Sequence, residues 1–246
     1  MYQLAKRGFT QSYTYFTWRN TKQEIIKYFK ELNSPGVRHF FRPNLWPNTP
    51  DILPQFLQHS GKPGFTIRAI LAATLSSSYG IYGPAFELMD NIPKDEGGEE
   101  YHNSEKYEIK SWDLNKKNSL RPLLKLLNRI RHENKALQKN NTLRFHEVDN
   151  ENLIAYSKYN ENFTNVILTV VNLDPYHTHS GWINFQLSEL NLGKNESYQV
   201  YDMLGGAYYL WHGDYHYTEL DPGVSPAHIF RIRRRIRTEQ DFDYFM

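Results

Sequence analysis

The pattern of the sequence changes near residue 140, and this change limits the chain to a mixed α/β architecture. Before it, extended runs alternate with amphipathic helical runs, starting with an aromatic, Thr-rich run at residues 11–18. Thr21, with Glu24 three residues later, predicts the start of a helix that continues through Leu32. After residue 140, short runs separated by turn residues predict antiparallel strands. We therefore predict parallel strand–helix units in residues 1–139 and an antiparallel β-sandwich domain in residues 140–246.

The other predicted elements follow the same division. In the first part they are an extended run at 37–45, a helix at 65–74, a short strand at 76–82, an irregular stretch at 83–113 and a helix at 119–133. In the second part the predicted strands are 143–147, 153–158, 165–172, 181–185, 198–202, 208–211 and 227–233. So few strand–helix units complete neither a barrel nor a doubly wound sheet, and we expect the chain to begin inside a larger domain.

The charge balance excludes several classes of partner. The chain has 29 basic and 27 acidic residues, a net charge of +2, and so lacks a field that attracts nucleic acid or an anionic membrane. A basic run at 231–237 alternates with apolar residues, as in a half-buried strand, and no second basic segment accompanies it. The N-terminus has no apolar targeting segment and the chain has no cysteine, which together predict a cytoplasmic location.

Aromatic residues are unusually frequent, at 15% of the chain. Many of the Tyr and Trp residues stand in polar surroundings, where a flat apolar face and a hydrogen-bonding tip are both usable. This composition suits contacts with sugar rings. A tyrosine-rich core and strand surface explains the same composition equally well.

Two segments of the first part carry candidate functional side chains. Asp51 lies in a Pro- and Asn-rich loop after a predicted parallel strand, where barrel enzymes place catalytic groups, although an Asx-turn explains an Asp after Pro as well. Lys106 and Tyr107 lie in the long irregular stretch and could grip hydroxyl groups, although a solvated charged loop is the simpler alternative.

Other chemistries find little support in the sequence. His177 with His179, and His212 with His216, have spacings that a metal ion tolerates, but no grouped acidic or thiolate partners accompany them. We therefore expect loop histidines, no metal site and no cofactor. The sequence also has no Gly-rich phosphate loop, no serine-hydrolase elbow and no zinc-protease motif.

Several longer runs together resemble one known family. They are GFTQSYTYFTWRN at 8–20, FRPN at 41–44 continuing to DIL at 51–53, AATL at 72–75, YGIYGP at 79–84, SEKYE at 104–108 and PAHIF at 226–230. In this order they resemble the α-1,4-glucan:maltose-1-phosphate maltosyltransferases of the α-amylase superfamily. The resemblance implies the C-terminal part of a (β/α)8 TIM barrel followed by a β-sandwich domain.

The same resemblance implies roles for five residues. Asp51 corresponds to the third superfamily acid, a transition-state stabiliser, while the nucleophile and the general acid would lie upstream of this chain. Lys106 and Tyr107 correspond to positions that hold the far hydroxyls of the donor maltosyl unit, and Trp18 would form an aromatic wall. Asn48-Thr49-Pro50 precede Asp51 in this chain, whereas hydrolytic amylases have a His directly before the corresponding acid. Asn48 is a further substrate-binding candidate.

The implied function is transfer of maltosyl units from maltose 1-phosphate to the non-reducing end of an α-1,4-glucan. The resemblance also implies a homodimer in the complete enzyme and an inactive isolated chain, while the charge balance predicts no nucleic acid or membrane partner. One alternative is another reaction of the superfamily, that of a glucan hydrolase or a trehalose-forming isomerase. Another is a non-catalytic glucan-binding fragment.

Overall fold

The computed structural model describes residues 1–9, 11–186 and 197–234. The predicted basic run therefore extends past the described residues, since 235–237 lie outside them. Within the described part the α-helices are α1 (Tyr2–Lys6), α2 (Lys22–Leu32), α3 (Pro35–Arg38), α4 (Gln55–His59), α5 (Gly61–Leu75), α6 (Gly83–Glu87) and α7 (Arg121–Glu133). Short 3-10 helices span Tyr15–Trp18 and Lys135–Gln138. None of these helices is long and apolar enough to cross a lipid bilayer.

A small parallel sheet organises the first part of the chain. It consists of β1 (Ser12–Tyr13), β2 (Pro43–Leu45) and β3 (Ser78–Tyr79) in that order, with β2 parallel to both neighbours. Helices α2 and α5 follow β1 and β2 along the chain, so the predicted strand–helix units are confirmed.

The predicted start of α2 is also confirmed. Thr21 Oγ1 accepts a hydrogen bond from the Glu24 amide, and a Glu24 carboxylate oxygen accepts one from the Thr21 amide. This reciprocal capping box satisfies two amides that the first helical turn leaves without partners.

Two sequence predictions in this part were wrong in detail. Residues 37–40 form the end of a helix and a turn, because Pro35 at the first turn of α3 starts a helix, and only Pro43–Leu45 of the predicted run forms a strand. The run at 11–18 is a two-residue strand followed by a 3-10 helix. There, the Thr17 hydroxyl donates to the Trp46 carbonyl, a contact that local pattern cannot anticipate.

The second part of the described chain is antiparallel. Its strands are β4 (Arg144–Val148), β5 (Leu153–Tyr159), β6 (Val166–Asn172), β7 (His179–Asn184), β8 (Ser197–Asp202), β9 (Tyr208–His212), β10 (Tyr215–Leu220) and β11 (Ala227–Arg234). They pair in the order β10-β7-β4-β5-β6-β11-β8-β9. The predicted fold class, parallel α/β followed by an antiparallel sandwich, is confirmed; strand β10 is an element that the sequence analysis missed.

Side chains from the two ends of this strand order meet and close the sandwich. The Tyr198 hydroxyl on β8 lies 2.6 Å from His216 Nε2 on β10. The His216 ring also stacks on Trp211 of β9, with centroids 4.1 Å apart. The enclosed core is apolar and includes Leu168 and Phe230.

One apolar core joins the helices to the sandwich. Buried residues of α5 and α7 belong to the same cluster as Ile154 and Val171 of the sheet. The Thr74 hydroxyl of α5 lies 2.6 Å from the buried Tyr156 hydroxyl, and Lys22 Nζ of α2 donates to the Val148 carbonyl at 2.9 Å. The two parts of the chain therefore share one apolar core, and a domain boundary near residue 140 stays a prediction.

A buried histidine in the sandwich makes the fold sensitive to acid. Burial, together with the charge of Arg144, lowers the pKa of His146 to about 4. The unfolded histidine binds a proton near pH 6.5, so the unfolded state gains protons first as the pH falls. We expect the free energy of unfolding to drop by about 3 kcal/mol between about pH 6.5 and about pH 4 from this residue. Urea unfolding of wild type and His146→Gln across this range measures it.

The control for this prediction is His212→Gln, because His212 is exposed. The prediction fails if His146→Gln loses as much stability in acid as the wild type. His146 Nε2 lies 2.8 Å from the Ser157 hydroxyl, and a glutamine amide can retain that bond.

Candidate active site

The predicted functional residues follow the carboxyl ends of the parallel strands. Trp18 follows β1, and Asn48 and Asp51 follow β2. The carboxyl ends of parallel strands share one edge of the sheet, which brings these loops together. The segment at 99–107 joins them there. Its Glu99 carboxylate accepts the Trp18 indole N–H at 3.0 Å, and its Lys106 Nζ lies 2.7 Å from Asp51 Oδ1.

Asp51 projects from a tight loop. Thr49 and Ile52 bridge each other through backbone hydrogen bonds, and the Asp51 amide donates to the Thr49 hydroxyl at 3.2 Å. The Asp51 side chain is 63% exposed and pairs with Lys106. Within the described residues its carboxylate makes no Asx-turn, so local capping does not account for it.

Lys106 connects Asp51 to a second carboxylate. Its Nζ lies 3.6 Å from Glu100 Oε1, and the other oxygen of that carboxylate, Oε2, lies 3.5 Å from Lys94 Nζ. The hydrogen bond with Asp51, then the charges of Asp51 and Glu100, raise the pKa of Lys106. The ammonium group therefore stays charged at neutral pH and is available as a hydrogen-bond donor.

Asn48 lies beneath this surface. It is fully buried, its Nδ2 donates to the Tyr101 hydroxyl at 2.8 Å, and its Oδ1 accepts the Tyr82 amide at 2.9 Å. Burial raises the pKa of Tyr101, so the phenol is neutral. In this structure Asn48 fixes the loops that carry the exposed groups and does not itself reach the solvent.

Tyr107 and Trp18 provide exposed rings. Tyr107 is 70% exposed, and Lys94 Nζ lies 5.4 Å from its ring centroid. Trp18 is about 40% exposed and its indole N–H is held by Glu99. The five predicted residues thus form one network through the 99–101 segment. Asp51, Lys106, Trp18 and Tyr107 contribute exposed groups, and Asn48 contributes support.

Two further residues near this site, Tyr82 and Trp112, were not singled out in the sequence, although Glu105, which they contact, lies in the candidate segment. The Tyr82 hydroxyl after β3 donates to the Glu105 carboxylate, which also accepts the Trp112 indole N–H at 3.1 Å. The signal available in the sequence was position, because Tyr82 follows a parallel strand just as Asp51 does.

Arg68 supports the loop that carries Trp18. It is buried in α5 and donates to the carbonyls of Phe16 and Arg19 at 2.6 and 2.7 Å. Its guanidinium also lies 3.8 Å from the Phe16 ring centroid. A lone arginine inside the most apolar helix was the sequence signal for this role.

The side chains of this surface have the chemistry to hydrogen-bond to hydroxyl groups and to pack against apolar ring faces. A carboxylate accepts and an ammonium donates hydrogen bonds to hydroxyls, while the exposed rings offer apolar faces. Among the described residues no group of three or more His, Asp or Glu side chains could hold a metal ion. His177 and His179 instead both contact the carboxylate of Asp174, at 2.9 and 3.0 Å.

Solved structures that match this fold include α-amylases. The chain matches a maltogenic α-amylase from Thermotoga neapolitana with a TM-score of 0.66 and 12% identity, covering 93% of this chain and 52% of that one. It matches the Geobacillus thermoleovorans α-amylase with a TM-score of 0.67 and 12% identity, covering 96% and 51%. The chain therefore shares the fold of these α-amylases, and its candidate site lies at the strand ends of the β/α part.

Comparison of the sequence with curated proteins points to a narrower group than the fold does. A family model described as "GLGE, C-terminal" matches residues 145–232. α-1,4-Glucan:maltose-1-phosphate maltosyltransferases are 50% identical in Methylacidiphilum infernorum, over 94% of this chain and 35% of that protein, and 47% identical in Chlorobaculum tepidum, with the same two coverages. The Myxococcus xanthus enzyme is 42% identical over 100% of this chain and 36% of its own length.

The chain is thus homologous to the maltosyltransferases over nearly its whole length and corresponds to their C-terminal portion. It spans about 35% of the length of these relatives. The family resemblance of the sequence runs is confirmed.

Proposed function

We propose that this chain is the C-terminal part of a retaining enzyme that transfers maltosyl units from maltose 1-phosphate to the non-reducing end of α-1,4-glucans. The observation that carries the proposal is Asp51 at the carboxyl end of β2, exposed and 2.7 Å from Lys106. The pair stands in a chain 50% identical to a named maltosyltransferase.

Asp51 is proposed as the stabiliser of the transition state. In retaining glycosyl transfer, positive charge develops on the sugar ring as the leaving group departs. A fixed carboxylate next to that ring lowers the energy of the charged state and accepts hydrogen bonds from ring hydroxyls. The pair with Lys106 is exposed and therefore weak, so sugar hydroxyls can insert between the two groups at little cost.

The neighbouring side chains are proposed to hold the donor sugar. Lys106 would donate to hydroxyls remote from the reacting carbon, Tyr107 would flank them, and Trp18 would form a wall against a ring face. Asn48 would act indirectly, by fixing the loops through Tyr82 and Tyr101.

The nucleophile and the general acid are proposed to come from the two thirds of the relatives that this chain does not match. Glu99 and Glu100, two described carboxylates of this site, are engaged by Trp18 and by lysines. We accordingly propose that the isolated chain is inactive. A homodimer and a cytoplasmic location stay predictions.

A chimera tests this function. In it, the chain replaces the matched C-terminal third of the Methylacidiphilum infernorum enzyme, and phosphate release from maltose 1-phosphate with glycogen is measured. We expect release by the chimera, none by the isolated chain, and glycogen lengthened by maltosyl units. Free maltose as the main product would instead indicate a hydrolase, and conversion of maltose to trehalose an isomerase. Phosphate release by the isolated, folded chain would contradict the proposed origin of the nucleophile.

A further inference from the structure

An aromatic surface lies on the outer face of β7 and β10. Along β10 the side chains alternate strictly, with His216, Thr218 and Leu220 buried. The outward positions of the two strands are Ser180, Trp182, Asn184, Tyr215, Tyr217 and Glu219. Three of these six are large aromatic residues that an outward strand position does not need for folding.

The aromatic rings are adjacent and held in place. Trp182 and Tyr217 are register partners across β7 and β10, with ring centroids 5.6 Å apart and planes 62° apart. They are 53% and 54% exposed, and Tyr215 lies two residues before Tyr217 on the same face. The Trp182 amide donates to the Asp149 carboxylate at 2.7 Å, and the Tyr217 hydroxyl donates to Glu219 at 3.3 Å.

The polar groups around these rings select among ligands. Glu147, Asp149 and Glu219 are exposed at the rim, and no outward residue of β7 or β10 is basic. Phosphates and acidic peptides are therefore repelled. A neutral polyhydroxyl chain is favoured, because its hydroxyls donate to carboxylates while its ring faces cover the aromatic rings. The angle between the two ring planes fits a curved chain better than a flat one.

We propose that Trp182, Tyr215 and Tyr217, here called the sandwich platform, bind an α-1,4-glucan chain. The identity of the glucan rests on the proposed function, whereas the platform rests on its own geometry. Its residues belong to β7 and β10, not to the loops around Asp51. Attachment of a polymer at a second point raises the effective concentration of its chain ends near the enzyme.

Retention of the purified chain in native gels containing glycogen tests the platform, together with the dissociation constant for maltoheptaose. We expect Trp182→Ala and Tyr217→Ala each to weaken binding about tenfold, the size typical of a central aromatic contact. Trp182→Tyr keeps a ring and should restore binding to within about threefold of wild type. Tyr176→Ala is the matched control, since Tyr176 is a similarly exposed tyrosine in the turn between β6 and β7, and this variant should bind like wild type. Circular dichroism confirms that each variant is folded.

The results of these experiments test glucan binding by the sandwich platform separately from the proposed maltosyltransferase function. No retention of the wild-type chain overturns the platform, and so does retention that is unchanged in both alanine variants. Light scattering identifies a different occupant: a wild-type dimer that Trp182→Ala converts to a monomer, with glycogen retention unchanged, would mean that the rings contact a second copy. An inactive chimera with intact, Trp182-dependent retention would reject the maltosyltransferase proposal and support the platform.

Discussion

Asp51→Asn in the chimeric maltosyltransferase should lower the turnover number about 10²- to 10³-fold while the KM for maltose 1-phosphate changes little. Asparagine keeps the size and the hydrogen-bonding oxygen of the side chain but removes its negative charge. That charge matters most where positive charge develops, which is in the transition state and not in the bound substrate. The rate of phosphate release under saturating donor therefore reports the effect directly.

The control for Asp51 is Asp113→Asn. Asp113 is an exposed aspartate whose carboxylate accepts the Asn115 amide in a turn of the long loop, so its replacement should leave turnover within about twofold. Lys106→Gln should act differently from Asp51→Asn, raising KM more than it lowers turnover, because a contact remote from the reacting carbon stabilises both states alike. A turnover number unchanged by Asp51→Asn would reject Asp51 as the third acid.

Arg68→Met should lower the free energy of unfolding of this chain by about 3 kcal/mol. The methionine removes the guanidinium donors of both carbonyls: the buried Phe16 carbonyl keeps the Arg19 amide as a donor, whereas the part-buried Arg19 carbonyl loses its donor, and each lost hydrogen bond costs about 1–3 kcal/mol. Relief of the desolvated charge partly offsets this loss. Burial lowers the pKa of Arg68 to about 9, so the guanidinium is charged at neutral pH and its hydrogen bonds are the strong, charge-assisted kind.

Urea unfolding followed by circular dichroism measures this effect. Arg129→Met is the matched control, since Arg129 lies exposed on α7, and it should change stability by less than about 0.5 kcal/mol. Arg68→Lys should lie between wild type and Arg68→Met, because an ammonium retains the charge but not the planar fork that reaches two carbonyls. Wild-type stability of Arg68→Met would mean that water satisfies these carbonyls and that Arg68 does not hold the Trp18 loop.

Local sequence was enough to predict helices and strands whose capping residues or apolar pattern lie within the element itself. The capping pair Thr21 and Glu24 predicted α2, and the apolar run at 65–74 predicted the body of α5. The strands of the sandwich were predicted to within a few residues, apart from β10. The extended assignment of residues 37–40 was wrong because the helical turn at Pro35 competes with a β-prone composition.

The candidate site divides in the same way. Asp51, Lys106 and Trp18 could be chosen from position and family resemblance, yet nothing local indicates that Lys106 reaches Asp51 or that Glu99 holds Trp18. Those pairs are 55 and 81 positions apart in the chain. For Asn48 the sequence suggested a role that the structure does not favour. Its position in the chain suggested contact with substrate, but its side chain is buried and holds a neighbouring loop through Tyr101.

The sequence by itself determined the longer helices, most strands of the sandwich, the change from parallel to antiparallel architecture and the resemblance to the maltosyltransferases, because each depends on residues close together or on runs in a fixed order. The tertiary structure alone decided which carboxylate meets which ammonium and which aromatic residues stay exposed. It also showed that a lone arginine in an apolar helix supports a loop on another element. These properties depend on distances between residues far apart in the chain, which only packing of the whole core establishes.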